Sequence, residues 1–273
     1  MRIQGIDAGG FNVKYCDSTG YGKFVSLIGE YRKLNIGKLG EEDMVVEYGD
    51  QRYLMGPIVE TECDHGYSRK GSSKAHMDGL IRVLVAIHKT MNATADERKL
   101  VVGQPISGHI DTEKARMKRL LYGSHTLTVN GVKRTVFISD LEVAPEGAAA
   151  GLSDPKPGWI RYIDLGSGTI NYGTTKDMSY VDRDSFTERF GSETVDVSNP
   201  MMYARRICLR ALDRWNENDR VRLLGGAAKM MQPHISEYFP NTDILQPRYG
   251  DQTLDPIFGN VVAFYEIAKI RFR

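Results

Sequence analysis

Cysteine is nearly missing from this chain of 273 residues: Cys16, Cys63 and Cys208 stand at wide spacings, with no Cys-x-x-Cys pair. That arrangement argues against a disulfide framework and fits a reducing compartment, so a cytoplasmic location is expected. Cys63-Asp64-His65 has the chemistry of a metal fragment but no second ligand pair, which argues against zinc. An excess of one charge is lacking too. With 36 basic and 35 acidic residues the formal net charge is +1, so no overall field draws the molecule onto DNA or a membrane. No run of twenty apolar residues is present, and the first residues read as a strand rather than as a basic-then-apolar export signal. What remains is an ordinary folded composition, 41% hydrophobic and 26% charged, long enough for one large or two modest cores.

Residues 1–7, 11–16 and 23–27 read as strands, the last two joined by a turn at Ser18-Thr19-Gly20. Hairpins are expected at "MVVEYGDQRYLMG" and at "TLTVNGVKRTVFI", where Asn130-Gly131 is the strongest short turn signal. "YSRKGSSKAHMDG" is polar, basic and punctuated by glycine, as in a mobile surface loop. Leu80, Leu84, Ile87 and Met91 recur at helical spacing, and 111–121, 201–216 and 258–270 are further helices. His88, inside the first of these, reads as a packing or surface residue. The basic stretch 113–121 reads as a solvated helix face or, in an assembly, as a contact. "SDPKPGW" breaks the chain, and the pattern of strand, carboxylate, glycine loop and strand then restarts.

The restart is the informative feature. "IDAGGFNVK" (6–14) and "IDLGSGTIN" (163–171) align residue for residue as Ile-Asp, one apolar residue, glycine, small residues and a returning strand. Glycine removes the Cβ that would keep an anion away from backbone N–H groups. Two such loops facing across a cleft can hold the β and γ phosphates of a nucleotide from both sides. Asp7 and Asp164 then stand near a magnesium ion, through the waters it retains. Either loop alone would be an ordinary hairpin turn; the pair carries the reading. "GYSRKGSS" approaches the Walker phosphate loop but has Ser72 where lysine is required and no preceding strand.

These motifs resemble the actin superfamily, and more closely its bacterial plasmid-segregation members of the ParM and AlfA type. The resemblance runs from Asp7 and Lys14, with "NVK", through "VVGQPIS" and "VAPEGAAAG" to "IDLGSGTIN", "LLGGAA" and the closing "DPIFGNVVAFYEIA", in the family's order and over nearly the full length. It implies an α/β, actin-like two-domain fold with nucleotide in the interdomain cleft. Residues 1–152 would form the first domain, with the terminal helix 255–273 returning to it, and 153–254 a shortened second. Only one clear helix lies between Gly168 and Gly225, too little for the usual subdomain IIB, and the AlfA type is the one that lacks it. The loss of base contacts implies looser discrimination between ATP and GTP.

By the same resemblance Gly9, Gly10, Phe11, Asn12 and Lys14 form the first phosphate site, and Gly166, Ser167, Gly168 and Thr169 the second. Gly225, Gly226 and Ala227 lie against adenosine, Glu146 positions the attacking water, and Asp7 and Asp164 hold Mg2+ through water. Phe11 departs from the small or hydroxyl residue usual there, so its side chain offers no phosphate contact. Each position also has a plain reading: a surface lysine, a turn-forming asparagine, an exposed loop glutamate, a strand-to-helix turn. The implied function is a filament-forming ATPase or GTPase, its partners further copies of itself and a DNA-binding adaptor on a plasmid centromere, with no direct DNA or membrane contact. The competing readings are a small-molecule kinase of the same superfamily, like type III pantothenate kinases, and a nucleotide-binding adaptor that neither hydrolyses nor polymerises.

Overall fold

The computed structural model describes residues 2–35, 38–64 and 73–272, and two sheets organise them. The first collects β1 (Arg2–Ala8), β2 (Asn12–Asp17), β3 (Gly20–Val25), β4 (Ile28–Glu30), β5 (Met44–Tyr48), β6 (Gln51–Met55), β7 (Ala95–Gln104), β8 (Gly123–Val129) and β9 (Val132–Pro145), in the order 3-2-1-7-9-8-5-6-4. Helices α1 (Ile58–Glu62), α2 (Met77–Thr90) and α3 (Asp111–Leu121) accompany it. The second sheet runs β12-β11-β10-β14-β15, with β13 paired to β11. Its strands are β10 (Trp159–Leu165), β11 (Ile170–Lys176), β12 (Ser179–Tyr180), β13 (Phe186–Glu188), β14 (Val221–Gly225) and β15 (Thr242–Ile244), flanked by α4 (Pro200–Leu212) and α5 (Ala228–Ser236). A small ribbon, β16 (Arg248–Tyr249) and β17 (Gln252–Thr253), precedes the last helix, α6 (Gly259–Arg271).

The sequence repeat becomes a structural one. In the first sheet β1 pairs antiparallel with β2 and parallel with β7, which is parallel to β9. In the second, β10 pairs antiparallel with β11 and parallel with β14, which is parallel to β15. Parallel strands are covered on both faces and so are apolar along their length. Ile6, Val102 and Val143 are buried in one sheet, and Ile163 and Leu223 in the other.

Local signals place the elements. The apolar period of α2 buries almost the whole helix, and the His76 ring caps its start by accepting from Gly79 N at 3.2 Å. Asn199 caps α4 in the same way, with Pro200 following at the first helical position. Asn130 and Gly131 take φ of 48° and 81°, as a two-residue hairpin turn requires. The hairpin arms extend beyond the expected window, and α4 ends at Leu212 rather than at residue 216. Trp215 is nonetheless buried, its ring N–H donating to Asp184 O at 2.9 Å. Of the basic loop read at 67–79, residues 67–72 lie outside the described residues, as does His65 of the Cys-Asp-His fragment. The described end of that stretch is not a solvated loop: Lys74 is a buried partner of the cleft. His88 is a packing residue, its ring bonded to Val132 O at 2.8 Å. Among the described residues no helix is long and apolar enough to cross a membrane.

Helix α6 is apolar nearly all round, with Val261, Val262, Ala263, Phe264 and Ala268 buried, so it is a core element. It returns to the first sheet, where Phe264 and Ala268 pack with Val101, Ala144 and Ala149. Its backbone meets β1 so closely that a Cβ on Gly5 would lie 2.6 Å from Tyr265 N and 2.7 Å from Val261 O. Both neighbours are main chain and cannot swing aside. Gly5→Ala is therefore expected to lower stability by about 1–3 kcal/mol, read as a drop in the thermal midpoint; an unchanged midpoint would show that α6 yields without cost.

Candidate functional site

The two glycine loops line one cavity of about 430 Å³ between the sheets, and every residue assigned to the site from sequence lines it. Asp7 lies one residue before the end of β1, directly across the hairpin from Lys14; Asp164 takes the same place in β10, across from Asn171. The loops are tight in the same way. A Cβ on Gly9 would lie 2.4 Å from Asn12 O, and one on Gly166 would lie 2.6 Å from Thr169 O, each three residues ahead. Glycine at both positions is thus a steric requirement of the loop, and it leaves main chain facing the cavity. Phe11 stands at the loop tip, 39% exposed, and lines the cavity from there.

The remaining walls come from three segments. β14 ends at Gly225, which has a φ of 92° and where a Cβ would lie 2.5 Å from Leu165 O, so both conformation and space demand glycine; Gly226 and Ala227 follow into α5. Met230 and Ile257 add apolar surface beside them. After β13 the chain folds against the second loop, with Ser192 N and Glu193 N donating to Gly166 O and Ser167 O at 3.2 and 2.9 Å. Ser192 and Glu193 line the cavity from there.

Three buried carboxylates and two ammonium groups share this space, and each carboxylate is stabilised differently. Burial pushes Asp7 up, but Lys14 Nζ at 3.3 Å and Lys74 Nζ at 2.8 Å outweigh it and hold its carboxyl well below the usual range. Burial also pushes Asp164 up, opposed by the Asn260 amide, which donates to its Oδ2 at 2.9 Å; the nearby Asp7 charge adds to the rise. Asn171 Nδ2 donates to Asp164 Oδ2 at 3.3 Å and to Glu146 Oε2 at 3.4 Å. Glu146 is pushed up to about 7, chiefly by burial, with Lys74 pulling it down and the Asp7 and Asp164 charges raising it. Lys74 pairs with Glu146 as well as with Asp7, and those two carboxylates raise its ammonium above the usual lysine range against the effect of burial.

The donor set also bears on magnesium. Among the described residues no three carboxylate, imidazole or thiol groups converge into a cage. Mg2+ keeps several waters and relies on substrate phosphates rather than on an all-protein cage. Asp7 and Asp164, which both line the cavity, would fit such an outer role.

Lys74, Asn171 and Asn260 were not read from the sequence. Asn171 carried a signal, because it aligns with Lys14 in the repeat. Asn260 carried a weaker one, as the lone amide in an apolar helix. Lys74 carried none, since it lies in a run of polar and basic residues. Asn260 also accepts from Gly147 N at 2.9 Å, so it joins the turn after Glu146 to Asp164. Asn260→Ala leaves a buried N–H and a buried carboxylate short of a partner and is expected to cost about 1–3 kcal/mol. Chemical denaturation checks this; a variant as stable as the parent would mean that water replaces the amide fully.

Solved structures with this architecture are known. An AlfA filament bound to AMPPNP superposes with a TM-score of 0.80 at 22% identity, covering 99% of this chain and 97% of that one. AlfA from the B. subtilis plasmid pLS32, also a filament, gives 0.77 at 23% identity, covering 96% and 97%. An archaeal actin homologue in complex with ADP gives 0.73 at 20% identity, covering 99% and 100%. At these identities the likeness establishes the actin-like fold. No curated protein sequence matches the chain. The family model described as the N-terminal domain of actin-like proteins matches residues 5–148, which is more than half of the chain, and the protein therefore belongs to the actin-like proteins.

Proposed function

We propose that the protein is a nucleotide-driven filament former that segregates plasmid DNA through an adaptor. The observation that carries this reading is the pair of equivalent glycine loops facing one cavity that holds three carboxylates and two lysines. Its likeness to AlfA filaments over nearly the whole of both chains supports the assembly half of the reading. ATP or GTP lies with its phosphates between residues 9–12 and 166–169 and its nucleoside toward Gly225, Gly226 and Ala227. Closing of the two lobes on the phosphates favours polymerisation with further copies of the chain, and hydrolysis weakens the polymer. A DNA-binding protein on a plasmid centromere joins the filament to its cargo. A net charge of +1 suits a protein that does not touch DNA or membrane itself, working in the cytoplasm.

Phosphoryl transfer to water depends mainly on positioning and charge stabilisation. Lys14 and the loop main chain hold the phosphate oxygens. Mg2+, when bound, supplies further charge neutralisation, with Asp7 and Asp164 holding its waters. Glu146 orients the attacking water and accepts its proton as the bond to the γ-phosphorus forms. The bond from that phosphorus to the β–γ bridging oxygen then breaks, and the nucleoside diphosphate leaves. Asn171, bonded to both Glu146 and Asp164, keeps the base aligned with the metal side of the cavity.

Sedimentation tests the whole reading. The protein should pellet with magnesium and ATP or GTP and remain in the supernatant without nucleotide; a supernatant unchanged by either triphosphate would contradict it. Glu146→Gln should still pellet but release phosphate on the order of a hundredfold more slowly. The parent's rate should fall as pH drops through about 7, because protonation removes the base, and this limb should vanish in the variant. Release at the parental rate in Glu146→Gln would remove Glu146 from the mechanism.

A further inference from the structure

We propose that Thr187 is a positioning residue for Glu146: its hydroxyl fixes which end of the Asn171 amide faces the carboxylates, from a seam that both lobes build. This rests on the reading of Glu146 as the group that orients the attacking water, and it names what sets the alignment of that group.

Aromatic packing places β13. Phe186 stacks on Tyr172 of β11, with ring centroids 4.3 Å apart and planes 6° from parallel, and Trp215 packs T-shaped against both. In that register Thr187 falls directly opposite Asn171 in the antiparallel ladder. The first lobe meets the pair through the turn after β7. That turn closes from Gly108 N to Pro105 O at 2.8 Å and from His109 N to Ile106 O at 3.0 Å. The N–H groups of Ile106 and Ser107 point out of it instead, to Asn171 Oδ1 at 3.2 Å and to Thr187 Oγ1 at 3.0 Å.

Counting protons gives each of these bonds its direction. A main-chain N–H can only donate, so Thr187 Oγ1 accepts from Ser107 and gives its single proton to Asn171 Oδ1, 2.8 Å away. Ile106 N supplies a second proton to the same oxygen. The oxygen end of the amide is thereby held in the seam, and the NH2 end is turned to the cavity. There Nδ2 donates to Asp164 Oδ2 and to Glu146 Oε2. The reverse orientation would set a carbonyl oxygen against two carboxylates and an NH2 group against the Ile106 N–H. Asn171 is 1% exposed, so bulk water does not reach it to replace a lost partner. Lys74 engages Oε1 of Glu146, and the amide engages Oε2, so Asn171 sets the lie of the oxygen that the lysine leaves. Ile106 and Ser107 follow a strand of the first sheet, whereas Asn171 and Thr187 belong to the second, so the alignment requires both lobes.

Phosphate release from ATP and equilibrium binding of a fluorescent non-hydrolysable ATP analogue, both with magnesium, test this on the full chain. Thr187→Val keeps the shape and removes the hydroxyl. It should lower turnover about three- to tenfold, the effect of one hydrogen bond, with analogue affinity within about twofold of the parent. Thr187→Ala should behave in the same way, and Thr187→Ser, which keeps the hydroxyl, should recover most of the rate. In a Glu146→Gln background Thr187→Val should slow release no further, because the group that it positions is gone. Thermal melts confirm that each variant folds, and sedimentation with the analogue confirms that each assembles like the parent. Parental turnover in Thr187→Val, a Thr187→Ser rate as low as that of Thr187→Val, or a full further loss in the double variant overturns the assignment. A parallel fall in analogue affinity also overturns it and marks the seam as structural alone. Parental release by Glu146→Gln overturns the base itself, and a parent that binds no nucleotide overturns the reading of the cavity.

Discussion

Three carboxylates buried around one small cavity are the constraint that the rest of the structure has to meet. Ionised carboxylates out of water are costly unless each is paired or hydrogen-bonded. Asp7 is met by two ammonium groups, Asp164 by the amides of Asn171 and Asn260, and Glu146 by one lysine and one amide. Because the partners differ, the proton affinities separate: Asp7 stays ionised, while Glu146 is poised near 7. Environments that push like groups apart are how a single site holds a permanent anion and a usable base. The two roles assigned to these residues follow from their neighbours rather than from their identity.

That neighbourhood is assembled by duplication of one topological unit. Each sheet contributes a hairpin whose first strand carries an aspartate one residue before its end and whose turn needs glycine, plus a parallel neighbour. The partner opposite the aspartate differs, lysine in one unit and asparagine in the other. The pseudo-symmetric cleft is therefore cationic on one side and amide-lined on the other. The returning helix α6 ties the halves together, because the same Asn260 touches Asp164 and the turn after Glu146. Ser192 and Glu193 fold onto the second loop through their main-chain N–H groups and line the cavity from there.

The legible part of the sequence was the part governed by local rules. Glycine loops, Asn130-Gly131, the apolar period of α2 and the repeat about Asp7 and Asp164 all report on backbone geometry within a few residues. They placed the longer strands and most helices but not the short strands such as β4, β13 and β15, and all fifteen nominated site residues line the cavity. The carboxylates' partners depend on tertiary contacts: Lys74 reaches Asp7 across 67 residues and Asn260 reaches Asp164 across 96. No pattern near Lys74 separates it from the basic residues preceding it, so its burial is a property of the assembled fold. Asn171 shows the intermediate case, visible once the two loops are aligned and invisible in either alone.

A crystal structure with a non-hydrolysable triphosphate and magnesium tests the central claim most directly. The account predicts one nucleotide in the cavity, its β and γ phosphates between residues 9–12 and 166–169 and its base beside Gly226. Phosphates outside the two loops, or contact with only one of them, would contradict it.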